Sequence, residues 1–98
     1  MGRVIERVKA TQYAGTYKYD GAAFTVSGRF SADGDKVVVS IIGDIVADGE
    51  KRADYEARLV SGNYKYDFSN VVEITELPAI EADVKDAVLA VCNELKAD

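Results

Sequence analysis

Histidine is absent from this 98-residue chain, and only one cysteine and one proline occur. Without histidine there is no Ser-His-Asp or Cys-His nucleophile system and no imidazole-ligated zinc site. One cysteine, Cys92, cannot close an internal disulfide, so nothing points to a secreted, stapled domain. Cys92 follows Val88 and Val91 on the apolar side of a helical pattern and reads as a buried structural thiol. No GxGxxG or Walker loop is present. No apolar run is long enough for a membrane span or a signal peptide. Gly2 invites a myristoylation reading, but the motif wants Ser or Thr where Glu6 stands. A cytoplasmic protein is the expectation.

Basic charge is also scarce. Twelve Lys and Arg face seventeen Asp and Glu, a formal net charge of −5. That disfavours general binding to a phosphate backbone, whose affinity comes from cationic side chains. Carboxylates are numerous, yet most fall in turns or on polar strand faces. Asp33-Gly34-Asp35 and Asp44 with Asp48-Gly49-Glu50 resemble scraps of calcium loops without the ordered ligand series. Both read as turns. Neither a metal nor a cofactor is expected, and no catalytic set emerges.

What the chain does have is alternation. Apolar content is 48%, enough for one core in a domain of this length. A six-residue phrase occurs twice with one change: Gly15-Thr16-Tyr17-Lys18-Tyr19-Asp20 and Gly62-Asn63-Tyr64-Lys65-Tyr66-Asp67. Each copy alternates aromatic and charged residues at period two, the signature of a strand with one apolar face. Asp20-Gly21, Asp33-Gly34, Asp48-Gly49 and Ser61-Gly62-Asn63 punctuate the first three-quarters of the chain, as the turns of a β-meander would. Residues 52–60 alternate strictly and read as a strand despite good helix formers. Residues 3–11 read as a strand on β-branched content. Tyr64, Tyr66, Phe68, Val72 and Ile74 share one face of a final strand. Gly28 and Gly43 lie inside strands, where they would let a helix pack on a curved sheet.

Residues 36–46 differ from the rest. Val37, Val39, Ile41 and Ile45 fill one face while Val38, Ile42 and Val46 fill the other. A strand apolar on both sides is central and covered twice. Pro78 then marks a change of period. Ile80, Val84, Ala87, Val88, Val91 and Leu95 follow the helical i, i+4, i+7, i+8 pattern. Glu81 and Asp83 near the start and Lys96 at the end complement the helix dipole, and Glu81 with Lys85 is an i,i+4 pair.

The expected fold is α+β: one domain spanning 1–98, an antiparallel meander of five to six strands within 1–76 and an amphipathic helix over 79–97 packed across the sheet. The expected function is a non-catalytic protein-interaction or accessory module that self-associates. Either residues 3–11 fold back over Val38, Ile42 and Val46 or a second copy of the chain covers them, and a symmetric homodimer through that face is the commonest closed arrangement. Tyr17, Lys18, Tyr19, Tyr64, Lys65 and Tyr66 are the candidate contacts for a partner or for a nucleic acid; a different class of function is single-stranded nucleic-acid binding, with the rings stacking bases beside the lysines. A third is a small apolar ligand held between sheet and helix.

Overall fold

A computed structural model describes residues 5–9 and 13–97. The sheet expected from the turn spacing is there. Six antiparallel strands run in chain order: β1 (Ile5–Lys9), β2 (Ala14–Asp20), β3 (Thr25–Ala32), β4 (Val38–Ala47), β5 (Glu50–Val60) and β6 (Asn63–Ser69). A 3₁₀ turn (Ile74–Glu76) leads into one helix, α1 (Leu77–Ala97). Residues 52–60 form part of β5, as their alternation requires. Of the strand expected over residues 3–11, the middle forms β1, and Arg3, Val4, Ala10 and Thr11 lie outside the described residues.

Local chemistry accounts for the punctuation. Asp48 (φ 52°) and Gly49 (φ 77°) both take left-handed backbone, as do Ser61 (φ 51°) and Gly62 (φ 85°). Two successive positive φ angles make the two-residue turn whose twist matches a hairpin. Asp33 closes the β3–β4 connection differently. Its carboxylate accepts from the backbone N–H of Asp35 at 2.9 Å and of Val37 at 3.0 Å. Asp33 is therefore a turn residue.

Two expectations about strands are corrected. Val38 does not share a face with Ile42. Ser40 pairs with Ser31, but Val38 pairs with Ala32, so Val39 is an extra residue in β4. This bulge resets the alternation. Val38 joins Ile41 and Ile45 in the core, while Val39 and Ile42 are exposed at 40% and 47%. The face expected over residues 64–74 also ends early. Asn70 turns to φ 53° and donates its amide to Asp54 at 2.6 Å. Asparagine tolerates that region better than most residues. Beyond it Val72 and Ile74 are each 67% exposed.

Opposed residues of antiparallel strands share a face, so the register defines rows across the sheet. One row reads Ile5, Tyr17, Gly28, Gly43, Tyr55, Phe68. Flanking rows supply Val26, Ile45 and Ala53 on one side and Phe30, Ile41 and Ala57 on the other. On these rests α1, with Ile80, Val84, Ala87, Val88, Val91 and Leu95 all buried. Each large apolar side chain so buried contributes about 1.5–3 kcal/mol before chain entropy is subtracted. The helix backbone packs over β1 to β4 and reaches neither β5 nor β6.

Side chains on the glycines of the central row would first meet the neighbouring strand. A Cβ on Gly28 would stand 2.0 Å from the Ile42 carbonyl oxygen, and one on Gly43 would stand 1.9 Å from that of Ser27. The obstruction is the neighbouring strand's backbone, so the pair permits β3 and β4 to approach and bend. Tyr17 and Tyr55, 1% and 2% exposed, stand on either side of the pair in the same row.

Asp83 does more than complement a dipole. It is the buried acid of α1, and its carboxylate reaches into the β2–β3 loop. It accepts the backbone N–H of Ala22 at 3.1 Å, Ala23 at 3.0 Å and Phe24 at 2.9 Å. Gly21 makes room: a Cβ there would meet the Asp83 carboxyl carbon at 2.5 Å. Asp83→Ala, which leaves three loop donors unpaired, is expected to cost about 3 kcal/mol in urea unfolding. Gly21→Ala should be costly in the wild type and much cheaper beside Asp83→Ala. An additive pair of costs would show that the carboxylate is not what the glycine accommodates.

Candidate interaction surfaces

The residues picked out from sequence are not brought together. β2 and β6, which carry the two Tyr-Lys-Tyr phrases, are separated by three strands. Within each phrase the rings and the cations part company. Tyr17 is closed to solvent and Tyr19 half-buried on the helix side, while Lys18 is exposed on the opposite face. Tyr64 and Tyr66 are half-buried beside the core, and Lys65 is exposed across the sheet. The two phrases therefore do not form a single platform of rings flanked by lysines.

Tyr64 is held in place. Its hydroxyl donates to the Val38 carbonyl at 2.8 Å, next to the β4 bulge, and lies 3.4 Å from the Cys92 sulfur. Burial pushes the Tyr64 phenol well above its ordinary range, and the Cys92 contact pushes it further. Cys92 itself is half-buried rather than fully enclosed, because α1 turns that side toward β6, which it does not cover. Tyr66 is also raised, chiefly by burial, although the Lys85 ammonium 5.8 Å from its ring centre opposes this. Lys85 pairs with Glu81 at 2.9 Å, the i,i+4 pair expected from sequence. Tyr17 is pushed up by burial and then by the negative charge of Asp44. The hydroxyls of Tyr17 and Tyr55 have no hydrogen-bond partner among the described residues.

The face away from the helix is polar. Its central row reads Thr16, Arg29, Ile42, Glu56, Asp67 across β2 to β6. Ile42 thus stands between an arginine and a glutamate, and Val38 is absent from this side. Next to it the glycine pair leaves a shallow hollow of about 470 Å³, lined by Arg29, Asp44, Asp54, Glu56 and Asp67 among others. Lys51 bridges Asp54 at 2.6 Å and Asp44 at 3.4 Å, and Arg58 lies 3.6 Å from Asp67. Asp44 and Asp67 are thus engaged in cross-strand ion pairs and Asp54 in a pair within β5. No group of three or more metal-ligating side chains occurs among the described residues, and no described helix is long and apolar enough to cross a membrane.

Sequence reasoning named Tyr64 and Tyr66 as contact residues but missed Phe68 beside them and the surface they form, the end of the sheet that α1 leaves uncovered. There Tyr64, Tyr66 and Phe68 line up along β6, half-buried on the helix side and packed against the rim of the core. The signal was present in the alternation of β6, but the position of the helix over the other strands was not. Compared with protein-family models, curated proteins and solved structures, the chain matches none.

The charge network has a measurable consequence. The Lys51 ammonium, then the Asn70 amide, holds the Asp54 carboxyl at about 2 against an ordinary 3.8. A depressed carboxyl stabilises the fold above its unfolded value, and that contribution drains away as pH falls toward the folded one. Between about pH 4 and pH 2 the wild type should therefore lose stability more steeply than Asp54→Asn, read from urea midpoints across that range. Parallel acid profiles would show that the ion pair is fully screened by water.

Proposed function

We propose that the chain is a non-catalytic interaction module that works by associating with another protein surface. One observation carries this reading: α1 spans β1 to β4 and leaves the β6 end of the apolar face with three aromatic side chains half-covered. Partly exposed aromatic rows of this kind are what interfaces are built on. The chemistry of the described residues supports the same reading. The outer-face carboxylates Asp44, Asp54 and Asp67 are engaged with Lys51 and Arg58. The Tyr64 phenol is raised by burial and by its sulfur neighbour, the reverse of nucleophile activation. Between sheet and helix, Ile80, Val84 and Val91 are fully enclosed by side chains.

The self-associating form of this reading moves from the open face of β4 to the β6 end. Val38 is buried and Ile42 is framed by Arg29 and Glu56, so Val38, Ile42 and Val46 do not form the continuous apolar face expected of β4. Purified protein is expected to show no turnover in hydrolase and transferase screens. A robust activity abolished by one carboxylate substitution, Glu56→Gln or Asp67→Asn for instance, would overturn the reading.

A further inference from the structure

The module reading leaves the partner open, and β6 narrows it. The turn Ser61-Gly62 makes Val60 and Asn63 a hydrogen-bonded pair, and bonded and non-bonded pairs alternate along an antiparallel ladder. Lys65 and Asp67 therefore bond to β5, through Arg58 and Glu56. Tyr64, Tyr66 and Phe68 point their N–H and C=O groups away from the sheet. No backbone hydrogen bond to these outward groups occurs among the described residues, and α1 meets the strand only through side chains, Cys92 at Tyr64 and Lys85 at Tyr66, its backbone staying over β1 to β4. β6 is a seven-residue open edge, a template for one more strand.

The sequence of that edge is complementary to itself. When β6 meets a second β6 antiparallel with Tyr66 opposite Tyr66, Lys65 faces Asp67 of the partner subunit, and Asp67 faces the partner's Lys65. Tyr64 then faces Phe68 of the partner subunit on the other side of the sheet. This is a hydrogen-bonded register, because the outward groups belong to Tyr64, Tyr66 and Phe68. Neighbouring registers lack the match. Centring on Lys65 or on Asp67 sets like charges face to face, and centring on Tyr64 or Phe68 leaves both charges without an ionic partner.

Building on the interaction-module reading, we propose that the partner is a second copy of this chain, joined edge to edge through β6 about a two-fold axis at Tyr66. The two sheets become one, and the half-covered aromatic rows of both copies close over each other between the two helices. A two-fold contact of this kind is self-limiting, since it consumes the edge in both copies. An extended strand from a different protein would use the same backbone groups but would gain nothing from the Lys65–Asp67 symmetry.

Sedimentation equilibrium on the whole chain tests this with four variants, each checked for a native circular-dichroism melt. Wild type is expected to dimerise. Lys65→Asp and Asp67→Lys, which each set like charges opposite one another twice, should weaken the dimer about tenfold or more. The double exchange Lys65→Asp with Asp67→Lys should restore it, which a merely misfolded variant cannot do. Ile42→Lys, on the other face, should dimerise as wild type does. Amide exchange at Tyr64, Tyr66 and Phe68 should slow as protein concentration rises. A dimer indifferent to the β6 charges, or one broken by Ile42→Lys, overturns this interface and leaves the module reading standing. A monomer at every accessible concentration overturns self-association, with Lys65 then serving to keep the edge single. Only turnover in the activity screens would remove the module reading itself.

Discussion

One helix has to cover six strands, and it cannot. Strands stand about 4.8 Å apart, so the sheet is about 24 Å across, whereas a helix with its side chains is about 10 Å wide. The distribution of side-chain size follows from that shortfall. Beneath the helix the sheet offers branched and aromatic residues such as Val26, Phe30, Ile41 and Ile45, all essentially closed to solvent. In β5, Ala53 and Ala57 are small and are themselves fully buried. They leave room for long rings to lean in from the neighbouring strand. Tyr64 does so far enough for its hydroxyl to reach a carbonyl of β4. The aromatic residues of β6 are thus both the sheet's own partial lid and its least finished surface.

A lid that covers only part of a sheet must be held in one place. Nonpolar packing alone is weakly directional, and a ridge of valines could slide along the face. Asp83 removes that freedom by seating one carboxylate on three consecutive loop amides. Such charge-assisted bonds are short-ranged and geometric, so they fix both the height of α1 and its rotation. At the other end of the helix, the Ile5 N–H donates to Glu94 at 3.0 Å. The helix is pinned to the loop after β2 and to the start of β1, which is why its cover is biased to that side.

The sequence carries local rules well and remote partners poorly. Asp48-Gly49 and Ser61-Gly62 announce their turns because the conformation depends on those residues alone. The alternation over residues 52–60 announces a strand because burial on one face is a two-residue rhythm. Val38 defeats the same rhythm, since a bulge adds one residue and nothing in Val37-Val38-Val39 says which valine is extra. Asp83 reads as a dipole partner because its true partners lie some sixty residues earlier in the chain. Gly28 and Gly43 are visible as glycines inside strands, but their pairing with each other exists only once the register is set. The Tyr-Lys-Tyr phrases show the opposite limit. Their likeness is real at the level of strand chemistry, while one lies beneath the helix with strands on both sides and the other at the sheet's margin.

The meander order has a kinetic side. Each strand pairs with the one before it, so the sheet can grow hairpin by hairpin with short loops to close. The helix follows all six described strands in the chain, and its ties to β1 and to the β2–β3 loop join residues 89 and 61 positions apart. During synthesis the strands emerge before α1, and the row from Tyr17 to Tyr55 stays wet until the helix arrives. In that interval the nascent sheet has an open apolar face as well as open edges. The speed with which Asp83 finds its loop then decides whether the chain closes on itself or on a neighbour.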